Sequence, residues 1–360
     1  DLNQMGIKET AIKLNHSSFD EFIGQLAPDV VVFDRFMVEE QFGWRVAEFA
    51  PNALRILNTE DLHALRKSRE EAHKKDQPFR VDDWKNHPTT LREVASIYRC
   101  DLSLMISTYE MDILQQELKI PSELLFHLPF MVDVAESPQN KLPPFEARNG
   151  FVSIGNGKHA PNVDAIKVLK HEIWPSIRKQ LPDAEIHIYG AYLPQQVNEM
   201  HHPKTGFYVY GWGKDVDEVL KNAKVLLAPL KFGAGIKGKL LDAMRTGTPS
   251  VTTTVGAEGM HGDLPWNGII SDDWDSFAQA AVELHQNQKV WQTAQQTGNE
   301  LLRNLFDKQN LQARFKERLG QHIKNLDSHR SRNFIGKLLQ HQTMSSTKYM
   351  AKWIAEKNKG

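Results

Sequence analysis

Apolar positions along the chain fall into short unbroken runs, separated by stretches whose apolar residues recur with the helical period. The first run is Asp29-Val-Val-Val-Phe33, and it follows a helical pattern at Phe19, Phe22, Ile23 and Leu26. Ala53–Asn58 and Leu102–Ser107 repeat the strand signal, and a periodic stretch from Tyr109 to Leu118 comes after the second. Residues 135–150 are rich in proline and polar side chains and read as a linker. Beyond them Phe151–Ile154, Glu185–Tyr189, Phe207–Tyr210, Val225–Ala228 and Ser250–Thr253 alternate with helical or loop segments. This alternation predicts an α/β fold of two Rossmann-like, doubly wound domains with parallel sheets.

A chain of 360 residues exceeds what one hydrophobic core usually organises, which agrees with two lobes and a cleft between them. The expected division is 1–140 for a first lobe, 141–325 for a second and 326–360 for a helical extension. Ligands of such sheets bind beyond the carboxyl ends of the strands. Four of the five strand-end loops in the second lobe carry early glycines: Gly155 and Gly157, Gly190, Gly211 and Gly213, then Gly233 and Gly235. Any one of them reads equally well as a turn former; their recurrence at one sheet edge is the informative feature.

Composition narrows the chemistry. The 44 basic and 45 acidic side chains leave a net charge of -1, so no global field favours nucleic acid. One cysteine, Cys100, rules out a disulfide framework and a cysteine-rich zinc site, and points to a reducing, cytoplasmic setting. No apolar run approaches the ~20 residues of a membrane-spanning helix.

The passage from Lys224 to Thr254 carries the densest signal. An apolar strand ends at Pro229, a glycine-rich loop spans Phe232 to Gly238, and a helix runs to about Thr246, where Gly247 and Pro249 stop it. Unpaired amides at that helix start, with the helix dipole, suit a diphosphate. Lys237 and Lys239 add positive charge beside it. Asp242 lies on the same helix face as Lys239, leans toward the amino end, and is able to accept two ribose hydroxyls; a plain Lys239–Asp242 surface pair is the blander alternative.

Together with Asp242-Ala243-Met244, the following Arg-Thr-Gly-Thr-Pro-Ser-Val251 and Val255-Gly-Ala-Glu-Gly-Met260, this passage resembles the donor-binding core of GT-B-fold glycosyltransferases of the retaining family 4 type. The likeness runs back through Phe151-Val-Ser-Ile-Gly155, Leu181–Gly190 and Val209–Val216, close over 151 to about 320 and loose over 29–135. It implies two Rossmann-like lobes facing a cleft, a ribose contact at Asp242, and a diphosphate and sugar held along Gly233, Ala234, Gly235, Ile236, Lys237, Gly238 and Lys239. Gly211 and Trp212 would border the base, and Gly155 and Lys158 the donor from the first loop. Lys237, with Asp61 and His63 across the cleft, would take the catalytic roles; a solvated helix cap explains Asp61 and His63 about as well.

Three departures accompany the likeness. Many family members carry a sugar-contacting glutamate where Ala234 stands, and an arginine–lysine pair where this chain reads Gly155-Asn-Gly-Lys-His-Ala-Pro161. The first lobe lacks the family's opening strand and glycine-rich loop, so it reads as shortened at its amino end. Asp34 and Arg35 lie at a cleft-facing edge but are read as a local ion pair. Ser271-Asp-Asp-Trp-Asp275 is read as a helix cap rather than a metal site, and His201 and His202 as loop residues. Lysines 337, 348, 352, 357 and 359 mixed with Tyr349, Met350, Trp353 and Ile354 are read mainly as a helix packing on the first lobe, with peripheral contact to the inner membrane face as the alternative.

The function expected is therefore transfer of a sugar from a nucleotide-sugar donor to a glycan or lipid-linked acceptor, with retention and without a metal or other cofactor. A sugar-nucleotide epimerase or hydrolase, and a non-catalytic binding subunit, are the competing readings.

Overall fold

A computed structural model of the chain describes residues 2–134 and 142–357. Four strands, β1 (Val30–Asp34), β2 (Leu54–Asn58), β3 (Leu102–Met105) and β4 (Leu125–His127), form a parallel sheet in that order. Six more, β5 (Asn149–Ile154), β6 (Ile186–Tyr189), β7 (Phe207–Gly211), β8 (Ala223–Ala228), β9 (Ser250–Thr252) and β10 (Gly268–Ile270), form a second parallel sheet ordered β10-β9-β8-β5-β6-β7. The strands read from the apolar runs are present, their ends shifted by a few residues. Strands β4 and β10 are additional: three residues each, they are too short for a periodic signal of their own.

Strand order in the second sheet decides where a ligand can bind. The chain steps outward from β5 through β6 to β7, then crosses back to lay β8 on the other side of β5. Loops leaving β5 and β8 therefore part in opposite directions and open a crevice at their carboxyl ends. The glycine-rich segment after β8 lies at this switch point. Phe151, Ile186, Ile188, Phe207, Val225 and Leu227 pack on one sheet face beneath the helices Trp174–Gln180 and Trp274–Gln286. Val152, Leu226 and Ala228 pack on the other, with Leu240, Ala243 and Met244 of the helix Gly238–Arg245.

The two lobes are joined twice. Val132 pairs with the backbone around Asp307, its amide donating to Phe306 and its carbonyl accepting from Lys308. From Lys308 onward the chain lies on the first lobe, ahead of the boundary after residue 325 that the sequence suggested. Phe315, Leu319 and Leu326 cover the sheet face made by Leu54, Ile56, Leu102 and Leu104. The last helix, Phe334–Lys357, packs against the first-lobe helices Phe36–Phe49 and Pro88–Arg99.

Candidate functional site

The helix Gly238–Arg245 begins without a side-chain cap, because Lys237 at the cap position supplies none. The Leu240 amide turns back to the Lys237 carbonyl at 2.8 Å, which leaves the Gly238 and Lys239 amides to meet an anion. Lys237 is buried, its ammonium donating to the Gly235 carbonyl at 2.8 Å. Burial lowers its pKa to about 8, against the raising influence of Glu258, Glu110 and Asp61. Lys239 is likewise held at about 8 by burial, and donates to Asn162 Oδ1 at 2.7 Å. Asn162 in turn donates to the Asn156 carbonyl, so Lys239 ties the helix to the loop after β5.

Asp242 does not pair with Lys239. Its carboxylate lies 3.5 Å from Arg245, which also holds Asp217 at the start of the helix Val216–Asn222. The surface-pair alternative is thereby replaced by an Asp217–Arg245–Asp242 chain, which links the glycine-rich helix to the segment following β7. Asp242 remains partly exposed beside a cavity of about 540 Å³ bordered by Phe130, Met131, Gly238 and Leu241. Burial raises its pKa despite the opposing Arg245.

A second cavity, about 490 Å³, opens between the lobes and is lined by Asp34, Arg35, Glu60, Asp61, His63, Arg66, Ile106, Phe130, His159, Ala234, Gly235 and Ile236. Asp61 accepts from Arg66 and lies 3.3 Å from His63 Nε2. Burial lowers the His63 pKa more than Asp61 raises it, which favours the neutral ring. Arg35 and Glu60, which flank this wall, both take positive φ, at 68° and 65°. Such backbone is unfavourable for side-chain-bearing residues and concentrates at functional sites. The Asp34–Arg35 ion pair expected from the sequence is present at 2.7 Å, and both residues line the cleft.

Gly235 shows why the loop needs glycine. Its φ is +63°, and a Cβ there would come within 3.0 Å of Asp61 Cβ and 3.1 Å of Ile106 Cδ1. The loop thus touches the opposite lobe with its backbone. Ala234 packs against the core of that lobe as well. Gly233 has φ +154° and its carbonyl accepts from Arg69 at 2.8 Å.

Two residues that hold this contact, Arg69 and Glu110, escaped sequence reasoning, and a third, Glu258, was read only as part of a motif. Arg69 forms a two-pronged bond with Glu258, at 2.7 and 2.8 Å, while its guanidinium lies over Tyr109 and Phe79. Glu258 belongs to the Val255–Met260 motif, so the pair spans the lobes. Glu110, fully buried, accepts from the Leu62 amide at 3.1 Å and from the Gly235 amide at 2.7 Å. Burial, then Asp61, pushes its pKa up to about 8, so the carboxyl is mostly neutral at pH 7. Nothing in local periodicity marks Arg69 or Glu110, whose partners in the glycine-rich loop, Gly233 and Gly235, lie more than a hundred residues away in the chain.

The remaining sequence candidates take up varied places. Gly155 and Gly157 bring the loop after β5 against Asn162 and the Tyr192 backbone. Lys158 sits over the Tyr192 ring at 3.9 Å, and its neighbour His159 reaches the cleft wall instead. Gly211 has φ +76° with open space where a Cβ would be, and Trp212 beside it is exposed. Asp273 caps the helix Trp274–Gln286 by accepting from the Ser276 amide at 2.8 Å.

With this geometry in view, the likenesses to known proteins take on meaning. Residues 148–287 match the family model described as glycosyl transferases group 1. No curated protein sequence matches the chain. Among solved structures, the chain is similar to a TarM mutant from S. aureus in complex with fondaparinux, alpha-GlcNAc-glycerol and UDP, at 14% identity and TM-score 0.62 over 83% of this chain and 58% of that one. It therefore spans less than two thirds of the TarM chain. It is also similar to a glycosyltransferase from Rickettsia africae (10% identity, TM-score 0.65, 90% and 87% covered). Anabaena Alr3699/HepE in complex with UDP and glucose is similar too (14% identity, TM-score 0.62, 89% and 88% covered). Fold and cleft together are those of the two-lobed GT-B architecture. Its second lobe is the part that the group 1 model describes.

Proposed function

We propose that the chain transfers a sugar from a nucleotide-sugar donor to a hydroxyl of a glycan or lipid-linked acceptor, with retention and without a metal. The observation that carries this reading is a helix start whose Gly238 lines the same cavity as Asp242, with the buried Lys237 at its cap position and Asp242 linked through Arg245 to the segment following β7. The diphosphate would lie over the Gly238 amide, with Lys237 countering the charge that develops as the bond to the sugar breaks. Asp242 would accept the ribose hydroxyls. The sugar would then project into the cleft toward Asp61, His63 and His159. The acceptor hydroxyl would enter along the first-lobe wall, where a neutral His63 beside Asp61 is suited to take up a proton. A lipid-linked acceptor would bring the chain to the inner membrane face as a peripheral protein.

The test is a panel of nucleotide sugars scored by thermal shift and by release of nucleoside diphosphate in the presence of acceptor mixtures. A matching donor at a hundred times its dissociation constant adds about 2.7 kcal/mol to stability. Asp242→Ala and Lys237→Ala should each reduce the shift; if both leave it unchanged, the site is misassigned. Ala234 favours a second reading, donor binding without transfer, since it places a methyl group where many relatives carry a sugar-contacting carboxylate. Donor-dependent stabilisation with no product from any acceptor fraction would support that alternative.

A further inference from the structure

The helix Phe334–Lys357 has two apolar faces and only one of them is buried. Its inner face carries Gly336, Leu339 and Ala351. A Cβ on Gly336 would meet the Tyr98 carbonyl at 2.2 Å, Leu339 packs on the first-lobe core, and Ala351 packs against Trp44. On the far side Phe334, Ile335, Leu338, Tyr349, Met350 and Trp353 are all exposed, with Phe334 at 72%, Tyr349 at 68% and Trp353 at 63%. Leu338, Tyr349 and Trp353 lie at similar angles around the helix, but the mostly polar residues 341–348 separate them, so the exposed apolar residues form two clusters: Phe334, Ile335 and Leu338 at one end and Tyr349, Met350 and Trp353 at the other. Lys337, Lys352 and Lys357 border the clusters as exposed cations, and Glu356 stands among them. Lys357 lies over the Trp353 ring at 5.3 Å, whereas Lys348 is taken up by Glu48 at 2.7 Å.

We propose that this outer face rests on an anionic lipid surface, with Trp353 and Tyr349 at the headgroup boundary and Lys337, Lys352 and Lys357 against the anionic headgroups. Three large apolar side chains exposed together at each end of the helix are more than scattered surface residues, and such clusters mark an interaction site. An amphipathic helix that combines tryptophan and aliphatic residues with lysines on its flanks is suited to lie in the plane of a membrane interface. No described helix is long and apolar enough to cross a membrane, so the contact is peripheral. Charge selects the occupant. Pairing two copies through this face would gather lysines from both around one apolar seam, while anionic headgroups neutralise them.

Sedimentation of the full chain with vesicles tests this, and it needs neither donor nor acceptor, so its failure is separate from failure of the transferase reading. The chain should pellet with phosphatidylcholine vesicles containing phosphatidylglycerol and stay in solution with phosphatidylcholine alone. Raised salt should release it. Each of Lys352→Glu and Lys357→Glu should lower partitioning by about fivefold or more, the factor that one lysine near an anionic surface contributes. The double variant Tyr349→Ala/Trp353→Ala should stay in the supernatant with its melting temperature unchanged, since both side chains point away from the protein. Absence of binding to phosphatidylglycerol vesicles, or binding unaffected by these substitutions, overturns the proposal. So does a dimer, seen by light scattering, that the same double variant dissociates.

Discussion

Replacing Glu110 tests whether the glycine-rich loop is held by a neutral carboxyl from the opposite lobe. Its Oε1 accepts from both Leu62 and Gly235, and the residue is fully buried. Glu110→Ala leaves two buried N–H donors without partners, at ~1–3 kcal/mol each, or roughly 2–6 kcal/mol together. Glu110→Gln keeps a carbonyl in the same place and should cost less than about 1 kcal/mol near pH 4, where the native carboxyl is largely protonated in the folded and the unfolded chain alike, and should become the more stable form as pH rises. The pH dependence follows from the direction of the shift. With a folded pKa of about 8 against 4.5 for the free group, the folded state holds a proton that the unfolded chain has released. This group's contribution to stability is therefore present below the unfolded value and is lost as pH rises toward 8. The difference in unfolding free energy between the native chain and Glu110→Gln should accordingly change across pH 5–8, with a slope approaching ~1.4 kcal/mol per pH unit. Urea unfolding at several pH values measures it. A glutamine variant as unstable as the alanine variant, or a difference independent of pH, would refute a neutral, doubly accepting Glu110.

Arg69→Ala should destabilise the chain by about 3–5 kcal/mol, because it strands the Glu258 carboxylate at the lobe junction, and denaturant unfolding reads this directly. Gly235→Ala should cost ~1–2 kcal/mol of left-handed backbone strain and also push the loop from Asp61. The expected outcome is a folded chain with weakened donor binding, checked by titration calorimetry. Affinity for a nucleoside diphosphate should fall as pH rises through about 8, where Lys237 and Lys239 lose their charge. That fall should be smaller in Lys237→Ala; equal pH profiles for the two proteins would remove Lys237 from the site.

Much of this architecture was legible before any coordinates. Runs such as Ala53–Asn58 and Val225–Ala228 read as strands because these parallel strands are covered by helices, which leaves apolar residues at successive positions rather than at alternate ones. The glycine-rich loop and its helix were readable because turn residues, free amides and basic side chains act over a few positions of sequence. Asp273 was recognisable as a cap for the same reason. Such features are local, and local chemistry is what a sequence records most directly.

What only the tertiary structure decided is who meets whom across the cleft. Lys239 chooses Asn162 over Asp242, and Asp242 turns to an arginine that also grips Asp217. Arg69 and Glu110 read locally as ordinary helix residues, yet they hold the glycine-rich loop to the first lobe. The last helix read as one amphipathic segment, but folding buries one apolar face and leaves another exposed beside its lysines. The physical reason is the same in each case. Burial and pairing energies depend on distances between segments far apart in the chain, and those distances exist only once the two sheets and their connecting helices have packed.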